Sequence, residues 1–414
     1  MLHPKMKYIY AGVDSHKGSH TIVFLNCFYE KLGEMTISSV PSEFGHFLKE
    51  AQKFCLPNTK LAFGFEDVSA FGRSLVKFLV SKNQLVKHVN ASLVANERKN
   101  QGSLQKTDSI DAECAARILL SRFDQLPKAD PHDSYWILSN LVARRSSIVK
   151  INIMLKNHLH SLLSDHYPSY RKFFANISGN ASLAFYETYP SPSLLTNVSV
   201  EQLAKLLKSV SKGKVGEEKA IQILNAVEND GVATYKHQQT RDFTIQSTVR
   251  QIKSNRQEVQ EIDKQLKEFL DYFGHQLTTM KGIDNVTAAR LIAEIGDIHR
   301  FPTAAALARY AGVAPVTYES GMTSVQFANL RGNRRLNETF FHLAVSLVRT
   351  HNDSIINPYF YEYYHKKIAE GKTKRQALKC LERRLVNIIW SMMKHNKPYI
   401  NPPTKPISKI DEAS

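Results

Sequence analysis

The first 120 residues alternate short apolar runs with amphipathic stretches. Tyr8 to Val13 is apolar and ends at Asp14, His20 to Asn26 is a second such run, and both predict strands. Glu30-Lys31-Leu32-Gly33 has the composition of a tight turn, and Glu34 to Ser39 completes a three-strand meander. Pro41-Ser42 opens a helix with Ser42 at the N-cap and Phe44, Phe47 and Leu48 on one face. Leu61 to Phe65 is a fourth strand ending at Glu66, and Leu85 to Val89 a short fifth. Between them Ser69 to Ser81 has helical spacing, with Phe71, Leu75, Phe78 and Leu79 facing inward. Helices follow from about Ala91 and from Thr107 to Ser121, the latter with Ile110, Cys114, Ile118 and Leu119 inside.

Strands joined by short turns are antiparallel, whereas strands joined through a helix cross over and run parallel. The simplest solution is a mixed five-stranded sheet with helices on both sides. Asp14 and Glu66 then fall at strand ends, where open α/β sheets place their ligands.

From about Asp133 the pattern turns helical. Tyr135 to Leu163 spaces Trp136, Leu138, Leu141, Val142, Ile148, Ile151, Leu155, Leu159 and Leu162 helically, with basic residues between them. Phe243 to Phe273 is highly charged, and its Ile245, Val249, Ile252, Val259, Ile262, Leu266 and Leu270 form a heptad-like seam. These two helices are expected to pair as a coiled-coil arm. Residues 166–240 are broken by prolines, with short helices at Ser199 to Leu207 and Glu217 to Val227. Leu277 to Pro403 is a mainly helical region, and 404–414 a polar tail expected to be disordered. The expected division is 1–130, 131–275, 276–403 and the tail.

Composition narrows the partners. The chain has 414 residues, a net charge of +17 and ordinary apolar content. Such an excess favours polyanions, nucleic acid above all. No apolar run reaches the roughly 20 residues of a membrane span, and the N-terminus lacks a signal-peptide pattern, so a cytoplasmic location without a membrane partner is expected. Four scattered cysteines form no CxxC pair, which argues against zinc and against a disulfide framework.

The candidate chemistry centres on Lys106-Thr107-Asp108-Ser109-Ile110-Asp111-Ala112. Asp108 and Asp111 stand three apart and share a helix face, and like charges held that close call for a cation or a proton. With Asp14 and Glu66 they form a set of hard oxygen ligands suited to a divalent cation; the competing reading makes each a surface charge or a helix cap. His16, His20 and Lys17 could be read as a metal cluster, but the preferred reading has His16 and Lys17 flank the acidic site and contact nucleic acid, or serve as turn residues. Tyr318 to Ser324 reads as a loop in which Ser320, before Gly321, is exposed enough to act as a nucleophile, or is an ordinary Ser-Gly turn. Arg331, Arg334 and Arg335 follow, able to neutralise phosphoryl charge. The Gly282 turn before Asn285 resembles half of a helix-hairpin-helix, although Asp284 would repel a phosphate. The stretch 365–400 carries ten Lys or Arg against two acids, near Tyr359, Tyr361, Tyr363, Tyr364 and Trp390, a mixture that suits nucleic acid or a core.

Taken together, Ala11-Gly12-Val13-Asp14-Ser15-His16-Lys17, Phe65-Glu66-Asp67, the Lys106 to Ala112 stretch, and Ala311-Gly312-Val313-Ala314-Pro315 through Tyr318-Glu319-Ser320-Gly321 resemble the IS110-family, or DEDD, transposases and their relatives the Piv DNA invertases. The resemblance implies a RuvC-like (RNase H-fold) domain whose Asp14, Glu66, Asp108 and Asp111 bind Mg²⁺, with Mn²⁺ as an alternative. It implies a coiled-coil arm and a C-terminal transposase domain whose nucleophilic serine maps to Ser320, with Ser324 second. Lys17, Lys106, Arg331, Arg334 and Arg335 are the expected nucleic-acid contacts. It further implies DNA recombination directed by a structured guide RNA, in dimers that assemble into tetramers. A plain metal-dependent nuclease of the junction-resolvase type is the alternative function.

Overall fold

Strand β1 (Tyr8–Ser15) lies at the centre of the N-terminal sheet. In this computed structural model the described residues are 3–401, apart from 67–69, 103–104, 130–132, 233–234, 321–322, 328, 330–331 and 352–353. The expected tail at 404–414 therefore lies outside them. The chain divides into two compact units, residues 1–136 and 137–414.

In the first unit, β1 is followed by β2 (Ser19–Leu25), β3 (Lys31–Ser38), helix α1 (Phe44–Gln52), β4 (Lys60–Phe65), α2 (Arg73–Ser81), β5 (Leu85–His88), α3 (Ala91–Asn100) and α4 (Asp108–Ser121). The sheet order is β3-β2-β1-β4-β5. The meander pairs are antiparallel, and β1–β4 and β4–β5 are parallel. This is the mixed five-stranded sheet that the connection lengths demand. Alternation along β1 sends Ile9, Ala11 and Val13 into one core with Phe44, Phe47, Leu75 and Leu79 of α1 and α2. Tyr10 goes to the other face, with Val94, Cys114 and Leu119 of α3 and α4.

Three local expectations are corrected. The tight turn falls at residues 26–30, because the Asn26 side chain accepts from Phe28 N and Glu30 N at 2.9 and 3.0 Å; Lys31 to Gly33 belong to β3. Ser42 caps nothing: a 3₁₀ turn over Pro41–Glu43 leads into α1 without a side-chain cap. Phe71 is 52% exposed, since α2 begins only at Arg73.

The second unit is mainly helical. Its two longest elements are α5 (Asp133–His166, 34 residues) and, later in the chain, a 36-residue helix over Gln238–Phe273. They run antiparallel. Arg145 meets Asp263 (3.1 Å), Asn152 meets Asn255 (3.0 Å) and Asp165 meets Arg241 (2.7 Å), so numbering rises on one helix as it falls on the other. Trp136 and Ile151, expected inside, are exposed. Between the long helices come α6 (Tyr170–Phe173), α7 (Asn180–Thr188), α8 (Val200–Ser211) and α9 (Glu217–Asp230); the 36-residue helix is α10. Tyr167, Phe185, Leu203 and Ile223 from this segment form one core with Leu159 and Leu163 of α5 and Ile245 and Val249 of α10. Ser199 and Gln202 close a capping box at the start of α8.

The remainder comprises α11 (Asn285–Ile295), α12 (Ala304–Tyr310), strands β6 (Val316–Ser320) and β7 (Thr323–Phe327), α13 (Arg334–Leu347), α14 (Pro358–Ala369) and α15 (Lys374–His395). Leu381, Leu385 and Ile389 of α15 are fully buried. The expected loop at Tyr318 to Ser324 is instead an antiparallel hairpin. Its residues alternate, and the Tyr318 and Phe327 rings stand 5.5 Å apart across the strands. No described helix is long and apolar enough to cross a membrane.

Candidate metal centre and functional site

The acidic corner follows from two small residues. Gly12 on β1 pairs with Gly64 on β4 in parallel register, and both lie under α4, which they allow to approach closely. Two residues further along each strand, on that same face, stand Asp14 and Glu66. Above them α4 begins. Thr107 caps it by accepting from Ile110 N at 3.2 Å, and Asp108 and Asp111 occupy its first turn. Ser109 donates to Glu34 Oε2 of β3 at 2.6 Å and ties that turn to the sheet. The structure thus gathers Asp14, Glu66, Asp108 and Asp111 at one corner.

His16 joins them. Its Nε2 lies 3.2 Å from Asp14 Oδ2 and 3.1 Å from Asp108 Oδ1. Among the described residues, Asp14, His16 and Asp108 form the tight group, with one ligand atom from each lying within 4.8 Å of the others. Asp111, buried, is bonded by Arg98 of α3, and Lys106 Nζ stands 4.0 Å from its other oxygen. Glu66 lies outside the tight group but feels the charges of Asp14 and Asp111.

Electrostatics agree with a site short of positive charge. Burial pushes the Asp14 carboxyl above the usual carboxylate range; His16 pulls it back, and Asp108 and Asp111 push it up again. Burial, then Asp14 and Asp111, raise Glu66 against the pull of Lys106 and Arg98. The His16 imidazole is raised, first by Asp14 and also by Asp108. Two unit charges no more than 4.8 Å apart repel by at least about 3 kcal/mol at an effective dielectric near 20. Water screens this further, because Asp108 is 57% exposed. The donor set is carboxylate oxygen with one imidazole nitrogen, and it suits a hard or borderline divalent cation.

Other expectations fare unevenly. Lys17 is exposed on the β1–β2 turn beside the corner. His20 faces away from the corner, buried and 3.2 Å from Ser15 Oγ. Ser320 ends β6 and Ser324 lies in β7; their side chains are not among those described. Arg331 lies outside the described residues. Arg334 and Arg335 begin α13, exposed, with Arg335 3.6 Å from Glu294. The Gly282 turn is a helix junction: Asp284 caps α11 by accepting from Thr287 N at 2.7 Å, so a carboxylate stands where a phosphate would sit. The C-terminal aromatics are partly internal. Phe360 is fully buried and Trp390 donates to Phe301 O at 3.0 Å, while Arg384 lies over both Tyr359 and Tyr363.

The sequence reading understated two residues, Arg98 and His16. The basic run before the acidic motif hinted at the first. The spacing of His16 from Asp14 across a strand end hinted at the second, but not that one nitrogen would touch both Asp14 and Asp108.

Comparison with known proteins places this corner in context. A transposase family model, the DEDD type of IS110 elements, matches residues 11–168, which include all four acids. A second model, the IS116/IS110/IS902 transposase family, matches residues 274–365. Residues 169–273 lie between the two. A 44.8 kDa protein of insertion element IS116 from Streptomyces clavuligerus is 23% identical over 97% of this chain and 98% of its own length. A 43.6 kDa protein of insertion element IS110 from Streptomyces coelicolor is 28% identical over 71% and 72%. The pilin gene-inverting protein of Moraxella lacunata is 30% identical over 31% of this chain and 39% of its own. With the four acids inside the first match and the second match following it in chain order, the chain belongs to the IS110-type family of DNA transposases.

Proposed function

We propose that this transposase cuts and rejoins DNA through a phosphoserine formed at Ser320, assisted by Mg²⁺ or Mn²⁺ held by Asp14, Glu66, Asp108 and Asp111. The observation that carries the reading is the convergence of those four acids at the β1–β4–α4 corner, where burial and mutual repulsion leave a deficit of positive charge. A bound divalent cation would polarise phosphate oxygens and stabilise charge at the phosphorus. Arg98 holds Asp111 in place, and His16 holds Asp14 and Asp108. Lys17 and Lys106 stand near enough to attract the DNA backbone, with Arg331, Arg334 and Arg335 assisting in the C-terminal part. Ser320 Oγ forms a bond to phosphorus as its proton passes to solvent. The phosphorus–sugar oxygen bond breaks, and the departing oxygen takes up a proton. The phosphoserine conserves the bond energy for rejoining.

The net charge of +17 supports nucleic-acid partners. The family resemblance supports a structured guide RNA that selects the target by base pairing, with dimers assembling into tetramers. It also supports reading residues 131–275 as a coiled-coil arm with an insertion and 276–403 as the serine-bearing domain.

One observation favours the nuclease alternative: the acidic corner is assembled within residues 1–136 alone. In that reading water attacks and Ser320 is structural. Incubating the full chain with Mg²⁺, guide RNA and element-end DNA separates the two. The proposal expects DNA covalently attached to protein on a denaturing gel, lost in Ser320→Ala. Adducts that survive that change remove Ser320 from the role, and free hydrolysed ends without adducts favour the nuclease.

A further inference from the structure

We infer that the helical segment between α5 and α7 holds a binding site for an unpaired nucleotide of single-stranded nucleic acid. The site is a cleft of about 760 Å³ between the later turns of α5, the α6 turn and α7. Its size falls in the range of small-ligand pockets, roughly 300–1,000 Å³. The inference rests on the nucleic-acid partnership proposed above, and adds a place that neither the acidic corner nor the Ser320 hairpin supplies.

Three features select the ligand. First, the lining carries Lys156, His160 and Arg171 and no carboxylate. Lys156 is half-buried and makes no hydrogen bond or ion pair with any described residue. With Arg171 it gives the cleft positive charge that no carboxylate of the lining neutralises. Second, Tyr170 organises the polar wall. Its hydroxyl accepts from Arg171 Nε at 3.2 Å and lies 3.1 Å from His160 Nδ1. The Tyr170 hydroxyl thus links Arg171 and His160 along one polar wall of the cleft. Third, Phe174 is a half-buried ring backed by Phe185 and Tyr186, with centroids 5.7 and 6.2 Å away. A fixed aromatic face beside two cations matches a base stacked over a phosphate. A duplex offers no such base, since its rings are already stacked.

The test uses the full chain and three probes of equal length: oligo(dT), oligo(rU) and a mixed-sequence DNA duplex, read by fluorescence anisotropy across a salt series. Lys156→Gln with Arg171→Gln should weaken single-strand binding by about tenfold. It should also flatten the salt slope by about 1 to 1.5, the expectation for two lost phosphate contacts on a single strand. Phe174→Ala should cost about fivefold or more, without changing that slope. Thermal melts of each variant show whether the fold is retained. A loss confined to oligo(rU) assigns the site to RNA, a loss confined to oligo(dT) assigns it to a DNA strand, and both outcomes support it. Wild-type affinity in the folded charge variant, or an equal loss on the duplex, overturns it. Failure here is distinct from failure of the Ser320 reading, because that experiment reads covalent adducts and this one reads affinity.

Discussion

A methyl group on Gly12 would sit 2.1 Å from the carbonyl oxygen of Ala112. The β1 and α4 backbones are therefore as close as they can be, and the acids of both elements meet because of it. Gly12→Ala must push α4 away. The expected cost is about 2–3 kcal/mol or more, at the upper end of overpacking because the obstacle is backbone rather than a movable side chain. A thermal melt that leaves the midpoint unchanged would show that α4 is not seated there.

Arg98 is the cation bonded to Asp111, whose residue is only 6% exposed. Arg98→Ala leaves that carboxylate with Lys106 at 4.0 Å as its nearest described cation. The expected destabilisation is about 1–3 kcal/mol by urea unfolding. Millimolar Mg²⁺ or Mn²⁺ should narrow the gap to wild type, since the bound cation replaces the missing charge. A deficit that cation leaves untouched would place Asp111 outside the metal's reach.

His20 sets an acid limit on the first unit. It is fully buried, its Nε2 has no described partner, and burial, with some help from His16, holds its pKa below the ordinary histidine value. Below about pH 6.5 the unfolded chain takes up a proton that the folded one resists, so stability falls as pH drops through that window. His20→Phe, beside Phe44, keeps an aromatic ring and cannot charge. The variant should gain on wild type between pH 7 and pH 5 in parallel melts. Curves that stay parallel would mean that His20 already accepts the proton in the fold.

The sheet was legible because its signals are local. Short apolar runs bounded by turn residues, and the helix between each later pair, fix strand direction before any contact is known. The four acids were legible because each sits at a strand end or in a helix's first turn. What escaped depends on neighbours distant in sequence. The turn at residues 26–30 hinges on how the Asn26 side chain bonds, which composition does not distinguish from the nearby Leu32-Gly33 pair. Tyr318 to Ser324 read as a loop because the strands it joins are short and their apolar residues Tyr318 and Phe327 are exposed rather than core. Residues 166–240 were opaque because Tyr167, Phe185 and Leu203 pack on helices at both ends of the segment, so no single stretch shows its own inner face.

The central claim is that the corner of Asp14, Glu66, Asp108 and Asp111 holds a divalent cation. Calorimetric titration of Mn²⁺ into the full chain tests it without any DNA. Second-sphere substitutions alone cost roughly 10–100-fold in metal affinity, so removing two ligands in Asp14→Asn with Asp108→Asn should weaken binding by more than about 100-fold while circular dichroism stays native. Saturable binding in wild type that disappears in the double variant is the predicted result. Equal binding by both proteins, or none by either, contradicts the account.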